Sequence, residues 1–122
     1  MIRVLIADNN PDSHELIDDL IEINFRDVQI DHALTGQAFI DKINSEALPY
    51  NLVVFNFELD GVEGESVLAA IKNKHAFLFE RMVILAAEET DVSSVPKAAA
   101  VVKSPFSLDD FGDVVRKHCV EE

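Results

Sequence analysis

Three polar residues close apolar runs along this chain. Asp8 follows Ile2–Ala7, Asn56 follows Leu52–Phe55, and Lys103 follows Ala98–Val102. Continuous runs of this kind read as strands buried on both faces, as in parallel sheets. In open α/β sheets, ligands and chemistry collect at the C-terminal ends of the strands, around the point where the strand order reverses. If the first and third strands are neighbours there, Asp8 and Asn56 face one crevice. The identity of residue 56 then limits the chemistry, because asparagine cannot act as a nucleophilic carboxylate. Asp8 and Lys103 are expected to pair as a structural ion pair that holds the loops together.

The stretch Leu52 to Gly64, LVVFNFELDGVEG, organises these groups. It is a strand, a polar corner at Glu58-Leu59-Asp60-Gly61, and the approach to a helix. The chain before it begins with the strand Ile2–Ala7. Asn10 suits the cap, and Pro11 the first turn, of a helix ending near Glu22 or Asn24. Leu16, Ile17, Leu20, Ile21 and Ile23 form its apolar stripe, and Asp12, Glu15, Asp18, Asp19 and Glu22 its acidic face. Val28–Ala33 is a strand interrupted by Gln29, Asp31 and His32, which suggests a sheet edge. Thr35 caps a helix over residues 36–45 with Phe39, Ile40 and Ile43 inward, and Leu48-Pro49-Tyr50 ends that segment.

Beyond Gly64, a third helix turns Val67, Leu68 and Ile71 inward and Lys72 and Lys74 outward. His75 to Phe79 is an apolar connection that either packs under the sheet or forms an exposed patch. Met82–Ala86 is a fourth strand. Residues 88–97, with Pro96 and two serines, make one or two helical turns at best. Ala98–Val102 is a fifth strand, and Ser107 with Asp110 caps a final helix. Leu108, Phe111, Val114, Val115 and Cys119 form its inner face, and Arg116, Lys117 and His118 suit its C-terminal dipole. Strands alternating with helical segments imply an α/β fold with parallel strands and right-handed crossovers.

The bulk numbers set outer limits. A chain of 122 residues reads as one domain over its whole length, either a complete protein or a module of a longer one. The net charge of −13 is uneven: residues 1–60 hold twelve acids against Arg3, Arg26 and Lys42. Such a chain offers no basic patch to nucleic acid and is repelled by an anionic membrane. No apolar run approaches the ~18 residues of a membrane span, so a cytoplasmic location is expected. Cys119 stands alone and is read as a buried thiol. His14, His32, His75 and His118 have no ligand spacing and are read as structural or surface residues.

Four segments together give the chain a family resemblance. IADNNPD, NLVVFNFELDGVEG, VILAA and KSPFSLDDF, in this order and spacing, resemble the receiver domain of two-component response regulators over essentially all 122 residues. The resemblance implies a flavodoxin-like (βα)5 three-layer sandwich with strand order 2-1-3-4-5. In that family an aspartate ending the third strand takes a phosphoryl group from a phosphohistidine. Acids after the first strand, that aspartate and a backbone carbonyl two residues on hold magnesium. A Thr or Ser and a Lys bind the phosphoryl oxygens.

Carried onto this sequence, Asn56 stands at the phosphoacceptor position and Asn9 at the second acid, with Asp8 retained. Ala86 replaces the hydroxyl. Either Lys103 or Ser104 matches the lysine, and the Lys-Pro dipeptide is broken by Ser104. The aromatic expected before the lysine is absent, with Ala100 and Val101 there instead. The resemblance with these departures implies a pseudo-receiver that is not an enzyme. It needs no cofactor, and magnesium binds weakly if at all, with Asp8, Asn56 and Glu58 as weak candidate ligands. Glu58 is either a fixed negative charge beside Asn56 or an ordinary solvated carboxylate. The expected role is a phosphorylation-independent interaction module in bacterial signalling. Expected partners are proteins: a fused output domain, another receiver, a histidine kinase, or a second copy in a weak homodimer. The rival readings are phosphoacceptance on another carboxylate, Asp8 or Glu58, and a small-ligand sensor in the same crevice.

Overall fold

The computed structural model describes residues 1–8, 11–45, 50–57 and 64–120. In chain order the elements are β1 (Ile2–Ala7), α1 (Pro11–Asn24), β2 (Val28–Ala33), α2 (Gly36–Ser45), β3 (Leu52–Asn56) and α3 (Gly64–Lys74). A 3-10 helix (Ala76–Arg81), β4 (Met82–Ala87), β5 (Ala100–Ser104) and α4 (Leu108–His118) follow. The five strands form one parallel sheet of order β2-β1-β3-β4-β5. This is the flavodoxin-like order expected from the sequence. The interrupted strand β2 is indeed at an edge, while β1, β3 and β4 are enclosed. The expected cap Asn10 and the Leu48-Pro49 link lie outside the described residues, as does the side chain of His14.

Strand side chains alternate between faces, and that alternation divides the core in two. Leu5, Ala7, Val53, Phe55, Met82, Ile84 and Ala86 pack on one face with Phe39 and Ile43 of α2 and Val67, Leu68 and Ile71 of α3. Val4, Ile6, Leu52, Val54, Val83, Leu85 and Val102 pack on the other with Ile17, Leu20 and Ile21 of α1 and Phe111 and Val115 of α4. The apolar connection after α3 resolves into the 3-10 helix. Its Leu78 and Phe79 are buried, and Phe77 is half exposed.

Four expectations need correction. First, β5 begins two residues later than the apolar run suggests and includes Lys103 and Ser104, because its ladder with β4 extends to Ala86↔Lys103 and Ala87↔Ser104. Second, residues 88–99 form successive turns with no helix. Asp91 Oδ1 accepts from the Ser93 amide at 2.9 Å. The Val95 and Ala99 amides donate to the carbonyls of Val92 and Pro96. These short-range bonds satisfy backbone groups that a helix would otherwise pair. Third, Leu16 and Ile23 are 51% and 79% exposed, since Ile17, Leu20 and Ile21 alone fill the sheet-facing stripe of α1. Fourth, Leu108 is exposed. Phe106 stacks on Phe111 at 5.5 Å and packs against that core, while Leu108 stays outside it.

A polar cluster joins β1, β2 and the entry to β3. The Tyr50 hydroxyl donates to Asp31 Oδ2 at 2.8 Å, and Arg3 lies 3.8 Å from the same oxygen. The Arg3 guanidinium is also 4.7 Å above the Tyr50 ring, and Arg81 donates to the Tyr50 carbonyl at 3.0 Å. Burial alone would raise the Asp31 pKa. The Tyr50 and Gln29 hydrogen bonds, with Lys42 and Arg3, outweigh it and hold the carboxyl below its ordinary value. A depressed folded-state pKa stabilises the fold above the unfolded-state value, and that stability is lost as pH falls through the folded one. Tyr50→Phe should therefore raise the midpoint of acid unfolding, read by circular dichroism, and cost about 1 kcal/mol at neutral pH.

Candidate functional site

The alternation that divides the core also decides which polar groups share the crevice. On β1 and β3, Val4, Ile6, Leu52 and Val54 face α1 and α4. Asp8 and Asn56 continue that phase one step beyond the buried run. The register places Ala7 beside Phe55, so the two polar residues are neighbours across the strand ends. Asn56 Nδ2 donates to Asp8 Oδ2 at 3.3 Å. The Asp8 amide donates to the Ala33 carbonyl at 3.1 Å, and the Phe57 amide to the Leu85 carbonyl at 2.8 Å. These bonds fix the ends of β1 and β3 against β2 and β4.

The crevice has a volume of about 240 Å³ and is lined by Asp8, Leu16, Ile17, Asn56, Leu85, Ser104 and Phe106. More than half of that lining is apolar. Asp8 is only 2% exposed at its base. On β5, Val102 faces this side, and Ser104, two residues on, does so too. Ser104 is therefore the β5 residue on the crevice wall.

Lys103 belongs to the opposite phase. Its Nζ donates to the carbonyls of Ala87 at 3.3 Å and Glu88 at 3.2 Å, and also to that of Thr90. The expected ion pair with Asp8 is thus replaced. The ammonium instead ties together backbone carbonyls at the end of β4 and in the turn that follows. Lys103 also acts on the next turn. The Asp91 carboxyl is held below its ordinary value, chiefly by the Ser93 amide, then by the Ser93 hydroxyl, against a small opposing effect of burial and with a contribution from Lys103. Ala86 is buried in the core on the α2–α3 face. Asn9, Glu58 and Asp60 lie outside the described residues.

The structure therefore brings Asp8 and Asn56 together and places Lys103 and Ala86 on the other face. Sequence reasoning missed Leu16 and Phe106 as wall residues. Helical spacing puts Leu16 in the core stripe, and its position at the outer edge of that stripe is the signal that it can reach the wall. The role of Lys103 leads to a prediction. Lys103→Met should lower stability by about 2 kcal/mol, the magnitude for hydrogen bonds to a charged donor. Hydrogen exchange should accelerate at residues 88–92 while the amides of Asp8 and Asn56 keep their protection.

Comparison with family models finds none that matches, and comparison with curated proteins finds none that matches either. Solved structures do match. The response regulator protein TrrA from Thermotoga maritima, solved in complex with Mg(2+)-BeF, is 28% identical with a TM-score of 0.77, covering 97% of this chain and 99% of that one. A response regulator receiver domain protein from Clostridium thermocellum is 14% identical with a TM-score of 0.79, over 97% and 94%. NtrX from Brucella abortus in complex with ADP is 23% identical with a TM-score of 0.76. That match covers 97% of this chain and only 27% of the longer one.

Proposed function

We propose that this chain, which has the response-regulator receiver fold, works in signal transduction without being phosphorylated and acts by binding a protein partner. The observation that carries this reading is the Asn56 side chain, which ends β3 and donates its amide hydrogen to Asp8. The nitrogen lone pair of an amide is delocalised, so it does not attack phosphorus as a carboxylate oxygen does. It brings no charge to a metal. Asp8 is the one carboxylate lining the crevice among the described residues, and Asn56 already donates to it. Magnesium keeps an octahedral shell of hard oxygens and sheds water reluctantly. A single carboxylate beside Leu16, Leu85 and Phe106, as among the described residues here, does not fit that ion.

The rival readings are weaker on the same geometry. In-line attack on a phosphoryl group needs a reachable nucleophile, and Asp8 is almost fully enclosed. A crevice of about 240 Å³ is below the usual ~300–1,000 Å³ of small-molecule sites. The surface best suited to a partner is α1. Asp12, Glu15, Asp19 and Glu22 are exposed there beside exposed Leu16 and Ile23, and the last turn carries no base. It fits a protein of basic character with an apolar contact. Candidates are a fused output domain, a second receiver or a histidine kinase, acting at the cytoplasmic side. Among the described residues no helix is long and apolar enough to cross a membrane.

Incubation with acetyl phosphate and magnesium, followed by intact-mass measurement, tests the reading. The mass should stay unchanged. Stoichiometric addition of one phosphoryl group to a carboxylate would overturn it.

A further inference from the structure

On the opposite face of the sheet, the C-terminal halves of α2 and α3 enclose a second cavity of about 230 Å³. Ile40, Ile43, Ala70 and Ile71 form its apolar floor, and Asn44, Asn73, Lys74 and His75 its rim. A hydrogen bond of 2.9 Å between His75 Nε2 and Asn44 Oδ1 spans the two helices at that rim. Just outside, Phe77 is 48% exposed, edge-on to His75 and beneath the Arg81 guanidinium at 5.6 Å.

The charge here is opposite to that of the chain as a whole. Of the three lysines in the last turns of α2 and α3, Lys42, Lys72 and Lys74, it is Lys74 that lines the cavity. No Asp or Glu occurs from Ser66 to Phe79, in a chain of net charge −13. The nearest acid on α2, Asp41, accepts a hydrogen bond from Gln37 at 2.9 Å. A cavity with an aliphatic floor and a lysine on a rim without acids fits an aliphatic side chain flanked by carboxylates.

This chain carries such a group on its own surface. Ile23 of α1 is 79% exposed, and Asp19 and Glu22 lie within one turn of it. We propose that the occupant is a second copy of this chain. Ile23 of one molecule enters the α2–α3 groove of the next, and Asp19 and Glu22 meet Lys74 at its rim. The two surfaces lie on opposite faces of the sheet, since α1 packs in one core and α2 and α3 in the other. The contact is therefore head to tail. Each molecule keeps one free donor face and one free groove, so assembly continues into chains or rings rather than stopping at a two-fold dimer. One aliphatic anchor with exposed ion pairs makes a weak contact that salt weakens further. It holds whether or not the crevice on the other face accepts a phosphoryl group.

Sedimentation velocity of the full chain, from micromolar to near-millimolar concentration, tests this. The average sedimentation coefficient should rise with concentration and fall as salt is added. Ile23→Glu and Lys74→Glu each change an exposed residue, and circular dichroism should confirm that both variants fold. Either substitution should weaken association at least about tenfold. Mixed together, the two variants should form a dimer that grows no further, because Lys74→Glu keeps its anchor and Ile23→Glu keeps its groove. A wild-type chain that stays monomeric over the whole range would overturn the proposal. So would association that survives both substitutions, or a mixture that stays monomeric.

Discussion

A parallel sheet buried on both faces divides the side chains of each strand between two cores, and it does so in strict alternation. The rest of this structure depends on that constraint. With β1, β3 and β4 almost without exposed surface, a slip of one residue would exchange every apolar contact between the α1–α4 core and the α2–α3 core. The phase set by Val4, Ile6, Leu52 and Val54 therefore carries on to the strand ends. It brings Asp8 and Asn56 into the crevice and sends Lys103 to the far side. The polar edge is a consequence of the packing beneath it.

Much of this was legible in the sequence because burial on both faces leaves an unmistakable pattern. The runs at Val4–Ile6 and Leu52–Phe55 marked central strands, and the polar interruptions of Val28–Ala33 marked an edge. The juncture of Asp8 and Asn56 followed from their positions after those runs. The misjudged features are those where one-dimensional patterns underdetermine geometry. Leu16 and Ile23 satisfy helical spacing, yet a helix lying on a sheet buries a stripe only as wide as its contact, and Ile17, Leu20 and Ile21 already fill it. The boundary of β5 is set by ladder bonds to β4, which continue through polar Lys103 and Ser104. No composition signal marks such an end.

Residues 88–99 show how one side chain compensates for missing regular structure. Where a helix would pair its own backbone groups, this segment turns repeatedly, and Lys103 donates to the carbonyls of Ala87, Glu88 and Thr90, the first of which also accepts from the Thr90 amide. That arrangement commits Lys103 to holding a loop. With Lys103 so engaged, Asp8 is the charged residue among the described residues that line the crevice, beside Asn56, Leu16 and Phe106. The exposed features lie elsewhere, on the acidic face of α1 and at the rim between α2 and α3.

The proposed function requires that this receiver fold take up neither a metal nor a phosphoryl group in its crevice. The most direct test follows backbone amide resonances while magnesium and beryllofluoride, a phosphoryl mimic, are added. The account predicts that the amides of Asp8, Asn56, Leu85 and Ser104 stay unmoved at saturating concentrations. Saturable shifts confined to those four positions would contradict it.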